Sequence, residues 1–364
     1  MHRILYPAEK KKETFEAEYI EIFHDLEKAF AALPPEKNLG WSFKDFLTKD
    51  FEALAKKAIE IGNTFNGLEV IESVFPYEEY QGKISHFFME YGERMKLSAC
   101  HYCGIEYVNV YEDMGDYKNG LELVNEADEI ELLTITGMGQ NKVRLIVKER
   151  PIASLDKLEG IKGLGKAVIQ QLKDYENRHK QYRNHFTLDH LLPKSDYPHF
   201  ALSLYNLIPS CYTCNSKTKG AKDLGKMDDL VLLSPSSDKF NVYEMVRVKM
   251  VHKGPTLEKV FDLNDFSIRF EYGGRESTYK DYIQAFKLHG RYPFHKDKAL
   301  DLIVKSRNYN EAMLKELEKH VKIPRNQIRM DIFGKDLFSE GESHRPFFKL
   351  RLDVARALKI EGVI

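Results

Sequence analysis

Cysteine is scarce in this chain: four among 364 residues, which excludes the short, cysteine-dense scaffold of a disulfide-stapled secreted domain. No apolar run approaches the roughly 18 residues that a membrane span requires. Met1 to Pro7, followed by Lys10, Lys11 and Lys12, hold no apolar segment of roughly 7 to 15 residues behind their charges. No secretory signal is read there, and a soluble, cytoplasmic protein is expected. Both nucleotide-binding loops are missing, Gly-x-x-x-x-Gly-Lys-Ser/Thr and Gly-x-Gly-x-x-Gly after a strand. Any ATP-dependent control would therefore come from a separate ATPase partner. An excess of charge of one sign is absent too, since the formal net charge is -1.

What the chain does have is enough apolar residue to build cores, 43% hydrophobic against 30% charged, over a length that suggests two or three domains. Its charge is uneven along the sequence. From Ile105 to Thr136 there are nine acidic residues and one basic; from Gly137 to His185 there are eleven Lys or Arg and five Asp or Glu. A polyanion would dock on the second stretch and be repelled by the first, although such a run can also simply solvate a helical surface.

An internal repeat runs into and through the basic stretch. Leu132-Leu133-Thr134-Ile135-Thr136-Gly137-Met138-Gly139 recurs 26 residues later as Leu158-Glu159-Gly160-Ile161-Lys162-Gly163-Leu164-Gly165. A helical apolar pattern follows each copy, Val143, Ile146 and Val147, then Val168, Ile169 and Leu172. Two glycines around one apolar residue permit a tight turn between short helices, and the second helix then offers its first amides outward. Such a terminus holds a phosphate without reading bases. The segment from about Asn125 to Tyr175 resembles a tandem helix-hairpin-helix module. That resemblance implies a grip on duplex DNA through its backbone, at Gly137, Gly139, Gly163 and Gly165 and through Lys142, Arg144, Lys162 and Lys166. The alternative is a packing module with no ligand.

The four cysteines form two Cys-x-x-Cys pairs, Cys100 with Cys103 and Cys211 with Cys214. One tetrahedral structural Zn²⁺ site is the simplest use of them, and four thiolates would leave that ion no open position for catalysis. A redox pair would need only one of the two, in a βαβ setting. His101, between the first two cysteines, is expected to be exposed.

After the repeat run Phe186-Thr187-Leu188-Asp189-His190-Leu191 and, through the second cysteine pair, Tyr205-Asn206-Leu207-Ile208-Pro209-Ser210-Cys211-Tyr212-Thr213-Cys214-Asn215. These read as a strand around Asp189-His190, a second short strand over Asn206 to Pro209, and a helix starting at Cys214. Strand, loop, strand and helix with these polar residues resemble the HNH, or ββα-metal, nuclease family, and more closely its zinc-bearing branch that includes phage junction-resolving endonucleases. The resemblance implies phosphodiester hydrolysis. His190 would be the general base, since imidazole titrates near neutrality. Asp189 and Asn215 would offer oxygen ligands to a catalytic Mg²⁺ or Mn²⁺. Asn206 would hold the intervening loop and orient the base. Asn215 stands where the family's naming motif ends in His, which favours hard ions over softer ones. Lys217 and Lys219, on the following helix, are candidates for phosphate contact or a solvated face. His185 is a candidate for phosphate contact or an ordinary strand residue.

The expected fold class is α+β: a ββα-metal core with a structural zinc knuckle, an inserted all-α tandem helix-hairpin-helix module, a helical N-terminal region and a mixed α/β C-terminal region. The boundaries are residues 1–95, then 96–225 with the insertion at 120–178, then 226–364. In the first region Phe15, Tyr19, Ile22 and Phe23 fall at helical spacing, a break is expected at Pro34-Pro35, and one helix through Phe46 to Ile61. In the last, strands are expected over Val242 to Val251 and Phe266 to Tyr272, and helices over Lys280 to Phe286, Lys296 to Lys305 and Tyr309 to His320. The function expected is a metal-dependent DNA endonuclease acting on duplex or branched DNA, with restriction or anti-phage defence implied by analogy alone. A non-catalytic zinc-finger DNA-binding or scaffold protein and an RNA-directed nuclease are the alternatives. A homodimer is left open.

Overall fold

The computed structural model describes residues 1–8, 10–34, 37–62, 68–113, 117–175, 181–220, 224–339 and 344–364. The chain divides into two compact units, Met1–Asn109 together with His185–Ile364, and Val110–Asn184. The architecture is α+β, helices with small antiparallel two-stranded sheets. Among the described residues no helix is long and apolar enough to cross a membrane.

The larger unit begins with helices. In α1 (Lys10–Glu21) the four-residue spacing of Phe15 and Tyr19, continued by Phe23, puts three aromatic rings on one buried face. They pack on α6 (Tyr77–Glu90), with Phe87 4.9 Å from Phe15 and 5.0 Å from Tyr19, ring centre to ring centre. Between them lie α2 (Glu27–Ala31), α3 (Phe43–Thr48), α4 (Phe51–Ile61) and α5 (Leu68–Val74). The single helix expected through Phe46 to Ile61 is thus two. Lys49 turns extended, and the Asp50 carboxylate accepts the Ala53 amide, so a side-chain cap replaces the helical bond there. Pro35, half of the expected break, lies outside the described residues.

The smaller unit pairs β1 (Val110–Asp113) antiparallel with β2 (Gln181–Asn184). Within it run α7 (Gly120–Glu126), α8 (Glu129–Leu133), α9 (Gln140–Lys148), a 3₁₀ turn at Leu155–Gly160, and α10 (Lys166–Lys173). Leu132, Met138, Val143 and Ile146 from the first repeat and Leu158, Leu164, Val168, Ile169 and Leu172 from the second share one core. The apolar residue between each pair of glycines is therefore an anchor. The turns need glycine at Gly137 (φ 85°) and Gly163 (φ 89°), which are left-handed.

Returning to the larger unit, β3 (Thr187–His190) pairs antiparallel with β4 (Leu207–Ser210), Asp189 facing Ile208 and His190 facing Leu207. A π-helix at Thr213–Lys219 follows, and Asn206 ends a 3₁₀ turn before β4. Farther on, β5 (Val246–His252) and β6 (Phe266–Tyr272) form a ribbon whose residues alternate between buried and exposed. The first expected strand starts late because Val242–Met245 is a helical turn. Three C-terminal helices lie close to expectation, at Glu276–Ala285, Lys296–Asn308 and Glu311–Val321. Those at Leu288–Phe294, Arg325–Phe333 and Phe348–Ala357 had not been expected. The last of these buries seven of its ten residues, including a Lys349–Asp353 pair at 3.0 Å, so it presents no amphipathic stripe to read.

Candidate functional site

Cys100, Cys103, Cys211 and Cys214 converge on one point, buried and unbridged, with all four sulfurs within 4.8 Å of one another. Cys103 Sγ lies 4.0 Å from Cys211 Sγ, close to the S···S separation of about 3.8 Å that a tetrahedral zinc with Zn–S near 2.3 Å requires. Main-chain amides already point at the sulfurs: Ile105 N donates to Cys103, Cys211 N to Cys100 and Cys214 N to Cys211, each at 3.4 Å. Arg291 spans the cluster, donating to Cys214 Sγ at 3.2 Å and Cys103 Sγ at 3.5 Å and pairing with Glu106 at 2.7 Å. Burial pushes the Cys100 and Cys214 thiols up, so without a cation they keep their protons. Donor type, spacing and amide support all fit a zinc ion, and the meeting of both pairs at one centre argues against separate redox sites.

The knuckle holds the next layer. Tyr102, inside the Cys-x-x-Cys turn, donates its hydroxyl to Asp189 Oδ2 at 2.6 Å. On the other oxygen, Lys219 Nζ stands 3.1 Å from Oδ1 and also donates to the His190 carbonyl at 3.0 Å. Asp189 and Lys219 are 3% and 2% exposed, so this is a buried ion pair. Burial raises the Asp189 carboxyl, while Lys219 and Tyr102 oppose the shift. Lys219 is thus not the exposed phosphate candidate expected; Lys217 is exposed, above the Tyr212 ring.

His190 is oriented by its loop. Its Nε2 lies 2.8 Å from the Ala201 carbonyl, an acceptor only, so Nε2 carries the proton and Nδ1 keeps its lone pair. Burial lowers the ring's pKa to about 4, assisted by the charges of Lys194 and Lys219 and opposed by the Ala201 bond, leaving it neutral near pH 7. Tyr77 of α6 packs edge-on against it at 4.4 Å. The loop from Leu191 to Tyr205 is clamped by fully buried Asn206. Its Oδ1 accepts from Leu192 N at 2.8 Å, and its Nδ2 donates to the Leu192 and Phe200 carbonyls, both at 3.0 Å. Asn206 therefore fixes the segment whose Ala201 carbonyl fixes the His190 ring.

Asn215 uses its amide protons on Thr187 Oγ1 at 3.0 Å and the Leu188 carbonyl at 3.3 Å. The wide π turn, closed by Gly220 N on the Asn215 carbonyl at 2.9 Å, sets Asn215 against the start of β3 and Lys219 against its end. Asp189, His190, Asn206 and Asn215 are brought together. Carboxylate and amide oxygens suit a hard divalent ion, and because Lys219 already neutralises Asp189, such an ion would share that carboxylate or displace the ammonium. His185 lies to one side, its Nδ1 3.0 Å from Asn109 Oδ1. His101 is fully buried, contrary to expectation, because its ring turns inward from the knuckle. Tyr102 and Tyr77 escaped the sequence reading, and Lys219 was read there as a phosphate contact or a solvated lysine; only Tyr102 left a signal, its place inside the knuckle.

In the smaller unit Gly139 and Gly165 are the N-caps of α9 and α10, with φ of -105° and -77°, and no side chain caps either helix. A Cβ at either position would meet nothing within 4 Å. Arg144, Lys162 and Lys166 are exposed, and Lys142 Nζ donates to the Gly137 carbonyl at 2.8 Å.

A family model described as HNH endonuclease matches residues 176–220, the stretch that carries β3, β4 and the π-helix. No curated protein and no solved structure matches the chain. The matched domain points to a nuclease acting on nucleic acid with a divalent metal.

Proposed function

We propose that this chain is a metal-dependent endonuclease that hydrolyses DNA phosphodiester bonds, with His190 as general base. The observation that carries the reading is the orientation of His190, whose Nε2 proton is committed to the Ala201 carbonyl and whose neutral Nδ1 is left to accept a proton from water. Asn206 is a positioning residue, acting through the loop that presents Ala201. Asp189 and Asn215 are the oxygen ligands we propose for Mg²⁺ or Mn²⁺, which when bound supplies positive charge to the phosphorane-like transition state and the leaving 3′ oxygen. The four cysteines with a structural zinc, and Tyr102 between them, keep Asp189 in place.

The DNA grip is assigned to the smaller unit, in the manner of a tandem helix-hairpin-helix. Gly139 and Gly165 support it: neither backbone conformation nor internal crowding requires glycine there, so the missing side chains serve what approaches from outside. Gly137 and Gly163 shape the turns, and Lys142, Arg144, Lys162 and Lys166, with Lys217 of the nuclease unit, supply cationic contacts to phosphate. A duplex or branched substrate follows from a grip that reads backbone and not bases. A role in restriction or anti-phage defence rests on family analogy.

One observation favours a second, non-catalytic reading, namely that Lys219 occupies Asp189 while Tyr77 covers His190. Incubation with linear, supercoiled, branched and single-stranded DNA and with RNA, with and without Mg²⁺, separates the two. The wild type should cut duplex or branched DNA only with the metal. His190→Ala should lower the rate by roughly 10²- to 10⁴-fold with DNA affinity unchanged. Cutting at the wild-type rate by that variant rejects His190 as base, and no cutting of any substrate by the wild type leaves the non-catalytic reading standing.

A further inference from the structure

We propose that His2, His101 and His344 form a second zinc site, separate from the four cysteines. The three residues come from the first residues of the chain, the knuckle, and the segment before the helix Phe348–Ala357, and all three are buried, at 3%, 0% and 5% exposure. One ring nitrogen from each can be chosen so that the three lie within 4.8 Å of one another. Ring centres are 4.5 Å apart for His2 and His101, 4.4 Å for His2 and His344, and 6.0 Å for His101 and His344.

The hydrogen bonding decides what the cluster needs. His101 donates Nδ1–H to the His2 carbonyl at 3.1 Å, and His2 N returns a bond to the His101 carbonyl at 3.2 Å. The His2 ring is likewise hydrogen-bonded to the Ala99 main chain. Binding of one nitrogen to a main-chain carbonyl fixes the tautomer and leaves the other nitrogen as a bare lone pair, the arrangement found behind metal-bound histidines. Among the described residues, those other nitrogens, Nε2 of His2 and Nε2 of His101, are buried without a hydrogen-bond partner, as are both nitrogens of His344. Two fixed lone pairs and a third ring that can present one more converge on one point, beside the terminal amino group.

Buried groups left unsatisfied are destabilising, so an occupant is expected. Three imidazoles select a first-row transition ion over Mg²⁺ or Ca²⁺, and zinc suits them without a geometric demand of its own. Zn–N bonds of about 2.0 to 2.1 Å bring ligand nitrogens to about 3.3 Å from one another, a closure that small ring rotations supply. With all three rings buried, the site would act as a clamp and not as a hydrolytic centre. Since His101 follows Cys100, the two zinc ions would share one turn, and the second would tie the start of the chain and the lead-in to its last helix to the knuckle whose Tyr102 holds Asp189.

The test is metal content of the full chain made without a polyhistidine tag and dialysed against metal-free buffer. About two zinc ions per chain are expected in the wild type, and about one in His344→Ala or His344→Gln with circular dichroism unchanged. Cobalt substitution identifies which site is emptied. The variants should keep the thiolate-to-cobalt charge-transfer band and lack a set of ligand-field bands that the wild type has. The wild-type count stands even if both variants fail to fold: one zinc per chain, with cobalt filling only a thiolate site, overturns the proposal. Two zinc ions retained in a folded His344→Ala, or a different metal at that stoichiometry, overturns it as well.

Discussion

Replacing Lys219 by methionine keeps most of the stem and removes the ammonium from Asp189. Tyr102's hydroxyl then remains as the carboxylate's partner. The Lys219 and Asp189 side chains are only 2% and 4% exposed, so bulk water does not take the vacated position. Breaking one side of a buried ion pair costs about 3 to 5 kcal/mol, because the surviving charge is left uncompensated. Removing both charges, as in Lys219→Met with Asp189→Asn, should recover much of that loss, since the double variant strands nothing. Native-state hydrogen exchange at the β3 and β4 amides reads the effect locally, without requiring the two units to unfold together. With zinc kept and magnesium omitted, protection in the single variant should fall by roughly two to four orders of magnitude. If Asp189 then takes a divalent ion in place of the ammonium, Mg²⁺ at a hundred times its dissociation constant should restore about 2.7 kcal/mol. Protection within tenfold of wild type in magnesium-free buffer would refute the claim that Lys219 supplies the charge Asp189 needs.

Gly139→Ala with Gly165→Ala should leave the smaller unit folded, since each new Cβ enters open space, yet weaken DNA binding in gel-shift assays and reduce the salt slope by about one for each phosphate no longer held. Unchanged affinity would return the hairpins to a packing role. Gly163→Ala should act differently, costing about 1 kcal/mol of stability through its left-handed φ of 89°. His199, buried beside Phe46, has its pKa lowered by burial from 6.5 to about 4. Above pH 6.5 the ring is neutral whether folded or unfolded and adds no pH dependence. Between pH 6.5 and 4 only the unfolded chain takes up the proton, so stability falls, by at most about 3 kcal/mol. Urea unfolding of His199→Gln at pH 7 and pH 5 should show a shallower loss than wild type; equal slopes would remove His199 as the cause.

The site was legible where chemistry depends on near neighbours in sequence. Asp189 beside His190, Asn215 beside Cys214, the two Cys-x-x-Cys turns and the glycine turns at Gly137 and Gly163 could be placed in one dimension, because neighbours and turns are local, while their roles remain those proposed. What stayed hidden was made by contacts across the chain. Tyr102 reaches Asp189 over 87 positions, and Arg291 reaches Cys103 over 188. Lys219 resembles any surface lysine until the π turn rotates it inward, and His101 was misread because nothing local reveals that His2 and His344 wait beside it. Two helix assignments failed for other reasons. Asp50 broke a continuous pattern through a cap, and Phe348–Ala357 was too deeply buried to show a stripe.

Asn109 and His185 are joined by a main-chain bond at 3.0 Å and a side-chain contact at 3.0 Å. The larger unit thus releases the chain and recovers it at a single gate. Evolution or an engineer can treat residues 110–184 as a cassette: a short turn across that gate would even lower the entropy of closure, by about 2 kcal/mol. On the division of labour we propose, cutting and holding could then diversify independently, with new substrate preferences acquired by exchange of the cassette while Asp189, His190 and the cysteines stay where they are.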